Sequence, residues 1–236
     1  MKAKPFLILS LLVMVLIFSS CSVVEKASLH GFESDYYTLK QANQKPEKVY
    51  VLVEEGQAEV YRQTNKKPEK EPFMQIPLKR NEGPDFPVAR FRKQSPDIDI
   101  TSVLFKYRPS VCGQAPQLST DFNLALYAGW RLDFYRLQSE KDPLGHHNTK
   151  IRGRGFDFGF FAGPGTTLVS PFTTLNRRAD EYNGMIMQGG FAGFFELNMA
   201  SFGIALGYDY LLNSDRKIWI YQNKPWLGFV VGIALN

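Results

Sequence analysis

The sequence predicts an all-β chain: an antiparallel up-and-down β-barrel of about eight strands, preceded by a small β-hairpin segment. Two observations carry that prediction. Long stretches after residue 95 alternate with a period of two, the signature of half-buried strands. Fifteen of the 19 glycines lie at position 129 or later, so chain flexibility and small inward side chains are concentrated in one half. Across 236 residues, 44% hydrophobic and 22% charged composition is enough for a real core and excludes a disordered chain.

Phe122 to Arg136 shows the pattern best. Its even positions are Phe122, Leu124, Leu126, Ala128, Trp130, Leu132 and Phe134, whereas its odd positions are small or polar, including Arg131 and Asp133. The same split recurs in Ser201 to Tyr210, with Asp209 on the small-residue side, and in Trp226 to Leu235. Phe156, Phe158 and Phe160 alternate with Asp157 and Gly159, and Met185 to Met199 puts Glu196 opposite an aromatic side. Ile98 to Tyr107 is a weaker sixth strand. Two more strands are expected from the 49–62 hairpin or from 86–93 and 217–222.

Residues 1–20 read as a signal. Lys2 and Lys4 precede an apolar run from Phe6 to Phe18, and Ser19-Ser20 stand just before Cys21. At 1.5 Å per residue that run is about 20 Å long, too short for a hydrocarbon core of about 30 Å. A cysteine after two small residues resembles the lipobox of bacterial lipoproteins, although Phe18 stands where the family usually has Leu. The resemblance implies that Cys21 is lipidated and becomes the mature N-terminus, and that Ser22 in place of Asp directs the protein to the outer membrane. Cys21→Ser should therefore abolish acyl labelling and leave an unprocessed precursor; normal labelling of that variant would remove the assignment. Loss of Lys2 and Lys4 lowers the formal charge from +5 to +3, too little for a nucleic-acid partner.

Residues 21–95 form a polar, Lys/Glu-rich segment. Val49–Val53 and Ala58–Arg62 make a hairpin with Glu55-Gly56 at its turn. The two Lys-Pro-Glu-Lys copies at 45–48 and 67–70 read as solvated turns, and the prolines at 77, 84, 87 and 96 break any long element.

Residues 96–236 form the barrel-like domain. A soluble sandwich would expose Lys, Glu, Thr and Ser, not Gly and Ala. The apolar, aromatic face opposite a small or polar one resembles small outer-membrane β-barrels, which show apolar residues to lipid and fill their inside with small and polar groups. The resemblance implies that Leu124, Leu206 and Phe229 point outward to lipid or to another hydrophobic partner. It places Arg131, Asp133, Asp157, Glu196 and Asp209 inside, as an internal charge network bracing a filled barrel. It also puts the connections 108–120, 169–184 and 212–224 outside, with Arg177-Arg178 and Tyr221-Gln222-Asn223 as a contact surface. The tight turn at Ala200 and Asn236 fall at the periplasmic end. The connection 138–151 is out of pattern, being long where a short one belongs.

Catalytic signals are weak. His146-His147 with Asp142 reads as a solvated loop without metal spacing, and the other histidine is His30. There is no G-x-S-x-G. Gly163-Pro164-Gly165-Thr166-Thr167 lacks the lysine of a phosphate-binding loop and reads as a strand end with a turn. With Cys21 acylated, Cys112 has no partner for a disulfide, and only Arg108 lies near enough in sequence to activate it. The sequence thus predicts a non-enzymatic outer-membrane lipoprotein without metal or cofactor. Its partners would be outer-membrane lipid and an envelope protein, in a structural or binding role. The alternatives are a lipid-tethered soluble barrel that carries an apolar ligand and a lipid-modifying barrel enzyme.

Overall fold

A computed structural model describes residues 31–41, 44–54, 56–78, 86–143, 145–196 and 201–234. The signal, Cys21, His30, Glu55, Ala200 and Asn236 lie outside the described residues, as does the side chain of Glu196. Twelve strands form one antiparallel sheet: β1 (Asp35–Lys40), β2 (Glu47–Glu54), β3 (Gln57–Thr64), β4 (Lys67–Pro68), β5 (Met74–Pro77), β6 (Ala89–Arg108), β7 (Gln117–Ser119), β8 (Leu124–Lys141), β9 (His147–Val169), β10 (Tyr182–Glu196), β11 (Ser201–Leu211) and β12 (Pro225–Ala234). The chain divides into two compact units, Met1–Arg92 with Phe134–Gly153, and Lys93–Asp133 with Arg154–Asn236.

The first unit has an apolar core. β2 and β3 form the hairpin that the sequence predicts, with Val51 opposite Val60 and Val53 opposite Ala58, so one face presents valines and alanine in register. Val49, Val51, Ala58, Val60 and Ile76 pack with Phe32, Tyr37, Phe91, Tyr135 and Leu137. Phe32 lies between 5.2 and 5.3 Å from the Tyr37, Phe91 and Tyr135 rings, the separation that favours tilted aromatic packing. The Tyr37 hydroxyl donates to the Glu33 carbonyl at 2.8 Å. Burial, reinforced by the neighbouring Tyr135 phenol, raises its pKa above the ordinary tyrosine range. In the unfolded chain that hydroxyl ionises near its usual pKa of about 10. Its stabilising contribution is therefore complete below that pH and declines above it. Tyr37→Phe should flatten the alkaline fall in urea midpoint of the purified protein, and an unchanged pH profile would contradict this.

The second unit is built on a six-strand ring in the order β6-β8-β9-β10-β11-β12, closed by antiparallel pairing of β12 back onto β6 from Leu227↔Tyr107 to Ala234↔Asp99. The expected count of about eight strands is thus corrected to six. Neither proposed source adds a strand to the ring: the 49–62 hairpin pairs with β1 and β5, 86–93 supplies the start of β6, which is already counted, and 217–222 forms turns. Glycine explains how so few strands can close. Eight strands already leave room for little more than side chains. A tighter ring brings neighbouring backbone beneath the inward positions, where a Cβ on Gly159, Gly163 or Gly190 would overlap the main chain of the adjacent strand.

Strand length differs from expectation as well. β8 and β9 run on to Lys141 and from His147, so the connection expected at 138–151 shrinks to a turn at 142–146 closed by Asp142 N–H donating to the His146 carbonyl at 2.9 Å. Gly163–Thr167 lies within β9, not at a strand end. β6 passes through Pro96, which the sequence reading treats as a breaker. That residue falls between the last β1 pairing at Arg92 and the β12 pairing at Asp99, a stretch where neither β1 nor β12 needs its missing N–H.

Candidate functional site: the polar interior of the ring

Alternation along the ring strands determines which side chains meet inside. On β11 every odd position is buried and every even one exposed, so Ala205, Gly207 and Asp209 face in while Ile204, Leu206 and Tyr208 face out. Deep inside, Val103, Ala125, Tyr127, Phe161, Ala192, Phe194, Ala205, Trp226 and Val230 make an apolar plug. Gly207 and Gly228 are required by it, since a Cβ on either would run into the Trp226 indole.

Next to that indole sits the densest charge cluster. Asp209 accepts from Lys106 Nζ at 2.8 Å, from Arg108 Nη2 and from Trp226 Nε1 at 2.9 Å, with its side chain 1% exposed. The Lys106 ammonium also lies 4.6 Å from the Trp226 ring centroid. Arg108 donates to Ser119 Oγ at 2.8 Å and stacks near Trp219 and Tyr221. Two cations on one carboxylate satisfy the need of buried charges for partners and hydrogen bonds together.

The other charges stand in separate groups. Tyr127 donates to Asp157 Oδ1 at 2.7 Å, and Arg131 Nε binds Asp133 at 3.0 Å. Asp97 and Asp99 are also buried and engaged. The interior set read from the sequence, Arg131, Asp133, Asp157, Glu196 and Asp209, is therefore divided among several contacts where its side chains are described. The partners of Asp209, Lys106 and Arg108, are absent from it. A bulge explains the omission: β6 shifts register against β12, with Phe229 paired to Phe105 but Val230 to Val103, so Leu104 is an extra residue. Inward positions change from 97, 99, 101 and 103 to 106 and 108. The adjacent pair Leu104-Phe105, both exposed, is the signal in the sequence that parity changes there.

Loops cover the end of the ring nearest Asp209. Two short 3-10 turns, η1 (Phe172–Thr174) and η2 (Ser214–Lys217), bring Trp219, Ile220 and Tyr221 against Val169, Ile186 and Leu211. Ile220 N–H donates to the Thr173 carbonyl at 3.0 Å, and Asn223 N–H to the Asp209 carbonyl at 3.0 Å. Tyr182 and Arg178 both bind Asp215, at 2.6 and 3.0 Å. Arg177 and Asn223 are exposed, Gln222 is half-buried, and Tyr221 is buried. Burial raises the Tyr221 hydroxyl pKa, against the lowering effect of Arg108.

The remaining candidates do not converge on this interior. His146 pairs with Asp142 and His147 with Ser139, at the β8–β9 turn of the first unit. Among the described residues, no group of three or more His, Cys, Asp or Glu has metal-holding geometry. Cys112 is free and exposed, while Arg108 is engaged with Asp209. The arrangement can brace a wall and fill its middle. No protein-family model, curated protein or solved structure matches the chain.

Proposed function

We propose that this protein is an outer-membrane lipoprotein in which the six-strand ring crosses the bilayer as a closed barrel and serves a structural or partner-binding role without catalysis. One observation carries the reading: all six strands of the ring expose large apolar side chains on its outer face. Leu126 is 65% exposed, Phe160 62%, Ile204 64% and Leu206 51%. Phe156, Phe191, Phe195, Phe202 and Phe229 lie around the same face, with ring pairs across strands such as Phe160–Phe191 at 4.1 Å. Apolar patches beyond a few hundred Å² are rare on soluble monomers. β11 and β12 have 11 and 10 residues, the length of a tilted strand that spans a bilayer.

The interior supports the same reading from the other side. A soluble carrier needs an open apolar cavity and a polar exterior, whereas here the Trp226 plug, glycines and paired charges fill the inside and Phe, Leu and Ile face out. Trp226 and the Asp209 cluster occupy the middle, so the barrel is a peg and not a pore. Purified mature protein should stay monomeric only in detergent and should show no ion conductance in a planar bilayer. A monodisperse monomer in detergent-free buffer would remove the membrane reading, and reproducible single-channel steps would remove the closed interior.

A further inference from the structure

The outward face of the first unit carries a charge pattern that the proposed role does not explain. On β6 the exposed positions are Arg90 and Arg92, on β8 Arg136, and on β9 Lys150 and Arg152. β1 adds Lys40 directly opposite Arg90. Asp142–His146 closes the β8–β9 hairpin at one end and Asn123 bridges Gly165 at the other. The constant register between those points sets Arg136 opposite Arg152. Two like-charged pairs therefore face each other across neighbouring strands, an arrangement that destabilises a sheet when nothing lies between them. On the β6, β8 and β9 stretches of this unit the one outward carboxylate is Glu140, already held by Lys150 at 2.9 Å. Arg152 also acts on that Glu140 carboxylate at longer range, and among the described residues no ion pair is found for Arg90 or Arg136. Arg92 instead lies over the exposed Phe134 ring at 5.7 Å, pairing a cation with an apolar residue.

We infer that this face binds the phosphate headgroups of anionic phospholipid, an inference that rests on the membrane reading above. The occupant follows from complementarity. Each guanidinium of the opposed Arg136 and Arg152 offers a fork of N–H donors that phosphate oxygens accept, and an anion between like charges turns repulsion into attraction. Phe134 beside Arg92 matches a surface that is anionic at headgroup level and apolar just beyond.

The test compares the full mature chain with Arg92→Gln/Arg136→Gln/Arg152→Gln. Each is titrated in detergent with phosphatidylglycerol and with phosphatidylcholine and followed by native mass spectrometry, and each is floated with vesicles of phosphatidylcholine alone. Each cation near an anionic surface is worth about a fivefold change in binding, so the triple variant should lose roughly a hundredfold in phosphatidylglycerol retention. Phosphatidylcholine binding should not change. If the variant fails to fold, the wild type alone decides: its phosphatidylglycerol retention should fall with added salt while phosphatidylcholine retention holds. Equal retention of the two lipids by the wild type, or unchanged selectivity in a folded triple variant, overturns the inference and leaves the membrane reading standing. Failure of the wild type to float with the phosphatidylcholine vesicles removes the membrane reading and this inference with it.

Discussion

Asp209→Ala should prevent stable assembly of the ring. The substitution leaves Lys106 and Arg108 buried side by side with their shared carboxylate gone, and it also removes the acceptor of the Trp226 N–H. Breaking a buried ion pair by deleting one partner costs about 3 to 5 kcal/mol, a large part of the roughly 5 to 15 kcal/mol that holds a typical domain together. Asp209→Asn keeps an acceptor for Trp226 but no charge, so it should fall between wild type and Asp209→Ala. The informative variant is Asp209→Leu combined with Lys106→Met and Arg108→Met, which removes all three charges at once. Replacing a buried charged set with apolar residues is often neutral or stabilising, so this triple change should recover much of the loss. Urea midpoints in detergent micelles read all four proteins. If Asp209→Ala keeps the wild-type midpoint, the cluster does not brace the ring.

That cluster also shows where legibility in the sequence ended. Strand positions, the direction in which Leu124, Leu206 and Phe229 face, and the inward placement of Asp133, Asp157 and Asp209 all follow from a period-two pattern, because in a half-buried strand parity alone decides the face. Parity is local, however, and one bulged residue at Leu104 reverses it, which hides Lys106 and Arg108 on a strand whose pattern reads as weak. Strand number departs from the sequence pattern for a different reason. A usual minimum of eight is a rule about filling an interior with side chains. Glycine at 159, 163, 190, 207 and 228 removes those side chains and lets six strands close. The full length of β8 and β9 is hidden in the sequence because their outward residues change from Phe and Leu to Arg and Lys beyond Phe134 and before Phe156, and that change in polarity looks like the end of a strand. Pairing partners remote in sequence, such as β12 with β6, leave no local trace.

Leu206→Arg and Gly207→Leu, neighbours on β11 with opposite facings, separate the membrane reading from every soluble alternative. Gly207 lies under the Trp226 indole, so a leucine there collides with the ring whatever surrounds the protein. Overpacking of this kind costs about 1 to 3 kcal/mol in detergent and in water alike. Leu206 points the other way, half exposed, opposite Phe191 on β10 and Leu227 on β12. In water, an arginine at that position would replace an apolar surface residue by a hydrated one and leave stability almost unchanged, with solubility improved. In a bilayer, the same change costs about 2 to 4 kcal/mol near the midplane. Ser214→Arg, on the exposed η2 turn, controls for added charge and should be neutral in both settings. Midpoints measured in lipid vesicles should therefore fall for Leu206→Arg and Gly207→Leu and hold for Ser214→Arg. Loss at Gly207 with full tolerance at Leu206 would mean that the aromatic face meets something other than lipid.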